Sequence, residues 1–187
     1  GWECKIKLSI MDLSQTDADL LLNKAKYIIE AGEFVKTYTI DIEKDFDVKL
    51  NLSSEDKEST FLFRIHRSLK NSLKITLHHQ DDETRFCLLR VDYNGASHLN
   101  PVIIEKTVPE KFRPFAGMIL NCDHIHYHVE GYPTAAWAIP LEKDDFEAKI
   151  VSYEDFNATF AKVVSCFSKT INLQSKIKLS GHYKMML

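Results

Sequence analysis

Four side chains that could do chemistry lie in the segment 123–131. His124, His126, His128 and Glu130 occupy alternate positions there. Because side chains alternate between the two faces of a β-strand, a strand here would place three imidazoles and a carboxylate on one accessible face. An unperturbed imidazole has a pKa of about 6.5 and exchanges protons near neutrality. The segment therefore predicts either acid–base catalysis or metal binding.

Metal-free cleavage of RNA is the chemistry that we favour for this segment. One imidazole of His124 and His126 would deprotonate a 2′-hydroxyl while the other protonates the leaving oxygen. The first alternative is a His-ligated metal site, since histidines at i and i+2 on a strand can converge on one ion at about 2.0 to 2.1 Å. A polar histidine network that stabilises a sheet is the second. His-x-His is less specific than His-Glu-x-x-His, so we assign no metal and leave the cofactor unknown.

Cations for a phosphate group are available earlier in the chain. Residues 64–79 contain Arg64, Arg67, Lys70 and Lys74 and no acidic residue. Such a run is typical of either a solvated hairpin or a phosphate-binding edge, and both interpretations stay open. The planar guanidinium binds phosphate bidentately, which favours Arg67 and Arg90 as phosphate ligands, with Lys74 beside them.

A second candidate region spans residues 88–101. Arg90 and Asp92 would share one face of a strand, where they could form an ion pair between strands. An Asn-Gly pair follows and is typical of a turn, so we interpret Asp92, Asn94 and Asn100 as turn-stabilising residues. His98 lies in the next loop. It could complete a site with the His-x-His strand.

Hydrophobic periodicity predicts two helices and a sheet that would position these residues. Residues 16–31 repeat near a period of 3.6, with Thr16 as the cap and Gly32 at the end. A second helix opens at Ser152, with Asp155 in a capping box. Its apolar stripe is Phe156, Phe160, Val163, Val164 and Phe167.

The region between the helices has a period of two. Seven strands are predicted there, at 34–42, 46–52, 60–67, 73–79, 85–93, 118–130 and 134–141. Short polar links suit hairpins, and residues 95–117 form a long loop. The expected fold class is α+β, a largely antiparallel sheet meander with an N-terminal and a C-terminal helix packed on it.

Composition limits the function classes. The chain has 187 residues, 44% of them hydrophobic and 27% charged, which indicates a single globular domain over residues 1–187. Residues 1–10 are a possible tag or extension, with Met11 as a possible native start, and residues 170–187 a tail. A net charge of −3 excludes a global attraction to nucleic acid or anionic membranes, so any RNA contact must be local.

Localisation is expected to be cytoplasmic, with no membrane partner. No apolar run approaches the length of a membrane span, which is about 18 residues, and the amino terminus lacks the apolar core of a signal peptide. The cysteines form no Cys-x-x-Cys pair, and we expect buried thiols in a reducing compartment at Cys4, Cys87, Cys122 and Cys166. Residues Lys5–Ser9 recur as Lys176–Ser180, an alternating pattern that suits two half-buried strands.

A set of residues between 61 and 141 follows a recognisable pattern. The matching residues are Ile65, Arg67, Lys74, Ile75, Thr76, Leu89, Arg90, Val91, Asp92, Gly95, His98, Asn100, Pro101, His124, His126, Glu130, Gly131, Tyr132, Trp137 and Ala138. The pattern resembles an uncharacterised family of small bacterial and phage-associated proteins. The resemblance implies a shared site of His98, His124, His126 and Glu130. This chain departs from the family by having Val129 and Ala136 where cations are usual.

These observations predict a small His-rich hydrolase, ribonuclease-like, in a toxin or phage-defence setting. His124 and His126 would be acid and base, with His98 or Glu130 orienting them. Substrate binding is assigned to Arg67, Arg90, Lys74, Tyr132 and Trp137. The alternative is a non-catalytic interaction protein, such as a phage-encoded inhibitor or a toxin partner, which the loss of family cations favours. The possible partners are therefore RNA or a protein.

Overall fold

The computed structural model describes residues 12–182. Two α-helices, α1 (Gln15–Asn23) and α2 (Phe156–Thr170), stand near the two ends of this range, and two short 3-10 helices span Glu110–Phe115 and Leu141–Lys143. The strands are β1 (Lys26–Glu30), β2 (Glu33–Val35), β3 (Thr37–Asp41), β4 (Asp47–Ser54), β5 (Thr60–Arg67), β6 (Ile75–Asp81), β7 (Cys87–Tyr93), β8 (His98–Leu99), β9 (Ile119–Leu120), β10 (His124–Tyr127), β11 (Ala138–Pro140) and β12 (Lys176–Ser180).

An eight-stranded antiparallel sheet forms the centre of the fold. Its strand order is β11-β10-β7-β6-β5-β4-β1-β2, so β4 to β7 pair in chain order as a meander. Two smaller sheets are attached to it, a parallel pair β3 and β12 and an antiparallel pair β8 and β9. This architecture confirms the expected α+β fold class, with one helix at each end.

Helix α2 covers the apolar face of the large sheet. Its predicted stripe is buried throughout, at Phe156, Phe160, Val163, Val164 and Phe167. The ring of Phe167 stacks on Phe63 of β5 with centroids 5.0 Å apart. Since side chains alternate along a strand, the burial of one face by α2 leaves the other face of β4 to β7 for polar residues.

The first helix is shorter than the sequence predicted. It ends at Asn23, and residues 26–30 form β1, where Ile28 pairs with Leu52 of β4 and with Val35 of β2. Ala31 and Gly32 have φ values of 50° and 78°, as the two central residues of a tight hairpin require. Gly32 therefore belongs to a hairpin and does not end a helix. Residues 26–30 form a strand because they pair with both β2 and β4, although the spacing of their apolar residues also suits a helix.

Both helices also start differently from the prediction. At α1 the cap is Ser14 and not Thr16, because the Ser14 hydroxyl accepts the N–H of Asp17 at 3.0 Å. Helix α2 begins at Phe156, after Asp155. The predicted cap, Ser152, accepts the N–H of Asp155 at 3.3 Å, but in a turn that precedes the helix.

A buried lysine joins the carboxyl ends of the two helices. Lys26 is fully buried, and its Nζ donates to the carbonyls of Leu22 at 2.8 Å, Lys24 at 2.8 Å and Ile171 at 2.9 Å. The last carbonyls of a helix lack partners within it and carry partial negative charge. We call this arrangement the lysine pocket. It satisfies carbonyls at the ends of α1 and α2 with one lysine side chain.

Three further expectations have mixed outcomes. Cys87 is buried as predicted, but Cys122 is exposed in the turn before β10 and Cys166 is half-buried on α2. The repeat at Lys176–Ser180 does form a strand, β12. Its other copy at Lys5–Ser9 lies outside the described residues, as does Cys4. No helix in the described range is both long and apolar enough to cross a membrane.

Candidate active site

Two rows of polar side chains cross the open face of the large sheet. The strand register from β4 through β10 aligns Asp47, His66, Thr76, Asp92 and His124 in one row, and Lys49, Arg64, His78, Arg90 and His126 in the other. Neighbouring strands lie about 4.8 Å apart, so residues far apart in sequence become direct neighbours. The histidine strand thus stands at one end of a polar face that extends over five strands.

The end of this face at β7 and β10 holds three acceptor groups that point at one another. The Oδ2 atom of Asp92 lies 3.5 Å from His126 Nε2 and 3.7 Å from His124 Nε2. We call these three residues the acceptor cluster. All three are nearly buried, with 3 to 5% of their surface exposed. The edge-on ring of His98 lies next to them, with its centroid 4.6 Å from that of His126.

Backbone carbonyls fix the protonation of each imidazole. His124 Nδ1 lies 2.7 Å from the carbonyl oxygen of Cys122, and His126 Nδ1 lies 3.2 Å from that of Trp137. A carbonyl oxygen can only accept, so each Nδ1 carries the hydrogen. In the neutral imidazoles the Nε2 atoms are therefore bare and point at Asp92. His98 is held the other way round, by Nε2 at 2.9 Å from the Ala136 carbonyl.

Asp92 is held rigidly as an anion. Arg90 donates to both of its oxygens, from Nε at 2.7 Å and from Nη2 at 2.9 Å, and the Thr76 hydroxyl donates at 2.6 Å. Burial acts to raise the pKa of Asp92, but the hydrogen bonds from Arg90 and Thr76 and the charge of Arg90 outweigh it. The pKa therefore lies well below its ordinary value.

For two of the imidazoles the uncharged form is favoured, whereas for Asp92 the charged form is favoured. Burial lowers the pKa of His126 below its ordinary value, and burial also lowers the pKa of His98. Burial thus favours the neutral form of both rings. The site presents nitrogen lone pairs next to a carboxylate, and a group that supplies positive charge would complete it.

The loop after β7 carries His98 to the cluster. Asn94 turns the chain with a φ of 50°, and its N–H donates to the Asp123 carboxylate at 2.7 Å. Asn100 then binds the backbone of Ala138 on β11 twice, donating to its carbonyl and accepting its N–H, both at 2.8 Å. This clamp places β8, and with it His98, over the edge of the sheet.

A cleft of about 280 Å³ opens onto the cluster. Its walls carry Lys74, Thr76, Arg90, Asp92, His98, His124 and His126 together with small residues of the 95–97 loop. The structure therefore brings five of the predicted site residues into one place, namely Lys74, Arg90, His98, His124 and His126. The exposed amine of Lys74 and the guanidinium of Arg90 supply positive charge at the wall.

Glu130 and His128 do not reach this cleft. Strand β10 ends at Tyr127, so the predicted alternation stops before them. The Glu130 carboxylate accepts the N–H of Gln15 at 2.9 Å, at the positive end of α1. His128 Nε2 donates to the carbonyl of Leu13 at 2.6 Å. The prediction that one strand gathers three imidazoles and a carboxylate is wrong for these two residues, which attach the first helix.

Arg67 is not placed to bind a phosphate. Only 1% of its surface is exposed, and its guanidinium lies over the ring of Phe46, 4.4 Å from the centroid, and bonds the Ile42 carbonyl. The sequence holds the reason, because Arg67 has the same strand parity as the core residues Phe63 and Ile65. Its neighbours in sequence on the open face are Arg64 and His66.

The two aromatic residues assigned to substrate binding have structural roles in this fold. Trp137 is fully buried, and its contribution to the site is the backbone carbonyl that holds His126. The Tyr132 hydroxyl donates to the Ile103 carbonyl and accepts the N–H of Glu105 at 2.9 Å, which ties down the long loop. Neither ring lines the cleft.

A family model described as "Family of unknown function (DUF6978)" matches residues 13–173. The chain belongs to this family. The match includes both helices and the whole candidate site, and it agrees with the expected membership of an uncharacterised family. No curated protein and no solved structure matches the chain.

Sequence reasoning missed Asp92 and Thr76 as members of the site. The Asn-Gly pair that follows Asp92 is typical of a turn. In the structure, however, Asp92 is the penultimate residue of β7 and faces the two histidines. A signal was present, since Arg90 and Asp92 share a parity opposite to that of the apolar residues around them. Thr76 belongs to the family pattern, but its closeness to Asp92 could not be predicted because it depends on the pairing of β6 with β7.

Proposed function

We propose that this protein is a ribonuclease-like hydrolase that cleaves RNA phosphodiester bonds at the acceptor cluster. The supporting observation is that the cluster, His98 and the cations Arg90 and Lys74 all line one cleft. Phosphodiester cleavage needs a proton acceptor at the attacking oxygen and positive charge near the phosphate oxygens. The proposed setting is the one expected from sequence, a toxin or phage-defence protein in the cytoplasm.

The open face of the sheet offers a path for a short single strand of RNA. The row that starts at His126 continues through Arg90, His78 and Arg64 to Lys49 on β4. Four strand spacings extend over about 19 Å, enough for a few nucleotides. Arg64 lies within this path, and a second cavity on the same face is lined by Arg64, His66, Thr76, His78, Gln80 and Arg90.

Each residue in the cleft has a role in this proposal. The exposed Lys74 and the free N–H groups of Arg90 bind the phosphate next to the cleaved bond. His98 borders the opening and is more exposed than the two histidines of the cluster, so it is the imidazole that exchanges protons with the substrate. His124 and His126 lie at the reacting centre, where their Nε2 atoms face Asp92.

Cleavage of a 5′-labelled single-stranded RNA tests the proposal. We expect the wild-type protein to cut it and the double variant His124→Ala/His126→Ala to be at least about 1,000-fold slower. The matched control is His182→Ala, which removes an exposed histidine that lines neither cavity and should keep full activity. Intact RNA after incubation with folded wild-type protein would refute the proposed function.

The interaction protein is a second candidate because of a different observation. Apolar side chains are exposed on β8 and β9 and in the loop between them, at Leu99, Val102, Ile103, Ile104, Met118 and Ile119. Contiguous exposed apolar surface often marks a protein-binding site. This candidate predicts a protein partner that binds the wild type stoichiometrically and that Val102→Ser/Ile103→Ser does not retain. Equal retention by both forms would contradict it.

A further inference from the structure

We propose that Asp92, His124 and His126 bind one divalent transition-metal ion of the zinc type, with an open coordination position towards the cleft. This inference goes beyond the proposed function and does not depend on it, because metal binding is measured without RNA. It extends the choice between acid–base and metal chemistry that the sequence left open. Three observations carry it, each from a different part of the geometry.

The first observation is the opposition of three acceptors. The hydrogens on His124 and His126 are committed to the carbonyls of Cys122 and Trp137, so both bare Nε2 atoms face the Oδ2 of Asp92. The separations of 3.5 and 3.7 Å are too long for hydrogen bonds. Lone pairs of nitrogen and of a carboxylate repel one another when they converge in a buried place. A cation bound between them turns that repulsion into attraction.

The second observation is the spacing of the ligand atoms. Zinc binds imidazole nitrogen and carboxylate oxygen at about 2.0 to 2.2 Å with tetrahedral angles, which places two ligand atoms about 3.4 Å apart. The separations of 3.5 and 3.7 Å in the structure lie close to that value. All the candidate ligand atoms lie within 4.8 Å of one another. The spacing therefore suits a single ion held by all three residues.

The third observation is the support behind each ligand. Metal-binding histidines almost always donate their other N–H to a carbonyl or carboxylate, and ligating carboxylates are themselves hydrogen-bonded. Both histidines here donate Nδ1–H to backbone carbonyls. The Asp92 carboxylate accepts hydrogen bonds from Arg90 and Thr76. Each of the three ligands therefore has the orientation and support that a metal site requires.

The number of ligands defines the type of site. Three protein ligands leave a position for water or substrate, which is the arrangement of catalytic zinc, whereas structural zinc has four protein ligands. The cleft lies on the side of the cluster where His98, Arg90 and Lys74 stand. An ion here would polarise a phosphoryl oxygen or water placed next to those cations.

Titration with Zn²⁺ and with Co²⁺ tests this site in protein freed of any histidine tag. We expect one ion per chain with a dissociation constant in the micromolar range or below, a raised melting temperature, and visible absorption from four-coordinate Co²⁺. Asp92→Asn and His126→Ala should each lose at least about 100-fold in affinity. His182→Ala, the matched control at an exposed histidine outside the cluster, should bind like the wild type.

Two results would overturn the metal site. One is the absence of stoichiometric Zn²⁺ binding to folded wild-type protein. The other is equal binding by His126→Ala and wild type, both folded by circular dichroism. The outcome is separable from that for the proposed function: RNA cleavage without Zn²⁺ binding refutes the metal site and keeps the hydrolase, while Zn²⁺ binding without RNA cleavage does the reverse.

Discussion

The lysine pocket and the acceptor cluster are both buried and polar, and they differ in how donors and acceptors are balanced. In the pocket, three carbonyls accept the three hydrogens of Lys26. In the cluster, Asp92 Oδ2 faces two bare nitrogens. A balanced group holds the fold together, since its loss leaves buried partners unsatisfied. An unbalanced group keeps lone pairs that can bind a proton or a cation. The comparison shows that burial by itself does not distinguish these two kinds of polar group.

The largest expected effect comes from His126→Ala. RNA cleavage should fall about 1,000-fold, because the reacting centre loses one of its nitrogens. The free energy of unfolding should change by at most about 1.5 kcal/mol, since one of three opposed acceptors is removed along with one hydrogen bond. Cleavage rates and urea titrations measure the two effects. A loss of stability that matches the loss of activity would erase the contrast between the two regions.

Lys26→Met should have the reverse profile. It leaves three buried carbonyls without donors, which costs about 3 kcal/mol of stability. For a chain of this size the melting temperature should fall by about 6 to 12 °C. Below that temperature the cleavage rate should match that of the wild type, because the pocket lies away from the cleft. An inactive but stable Lys26→Met protein would show that the pocket, too, is functional.

A smaller effect is expected from Thr76→Val. The substitution keeps the shape of the side chain and removes the hydroxyl that donates to Asp92. Outer hydrogen bonds of this kind typically change metal affinity or activity by at least about 10-fold. We therefore expect the cleavage rate to be about 10-fold slower than that of the wild type. Thr39→Val on the exposed side of β3 is the control, and an effect of equal size there would remove the role of Thr76.

The smallest expected effect concerns Lys74. Each phosphate contact with a single strand contributes about −0.7 to the slope of log affinity against log salt concentration. Lys74→Ala should therefore reduce the slope for a 2′-O-methyl RNA by about 0.7 units. Lys178→Ala, an exposed lysine on β12, should leave the slope unchanged. An unchanged slope for Lys74→Ala would take that lysine out of the RNA path.

Strand alternation accounts for most of what the sequence could predict. It gave strand 60–67 with the bounds of β5, and it placed His124 and His126 on one face of β10. The same alternation places Arg67 on the face of the core residues Phe63 and Ile65. The prediction of a phosphate ligand there is wrong because it rested on the chemistry of arginine and not on the position of Arg67 in the strand. Periodicity works here because the sheet has one apolar face and one polar face.

The remaining features depend on contacts that are not local in sequence. The second half of the predicted first helix is a strand because β4 pairs with it. Glu130 leaves the site because β10 ends at Tyr127 and the positive end of α1 lies nearby. Asp92 joins His124 through the pairing of β7 with β10, and this register is fixed by the whole sheet. Asp92 could not be assigned to the cluster from the sequence because the pairing of β7 with β10 is not visible there.

Anomalous diffraction at the zinc absorption edge, from crystals of tag-free protein grown with Zn²⁺, tests the central claim most directly. We expect one strong peak between Asp92 Oδ2, His124 Nε2 and His126 Nε2, at about 2.0 to 2.2 Å from each atom. A cluster without a peak, or a single peak bound elsewhere on the chain, would contradict it.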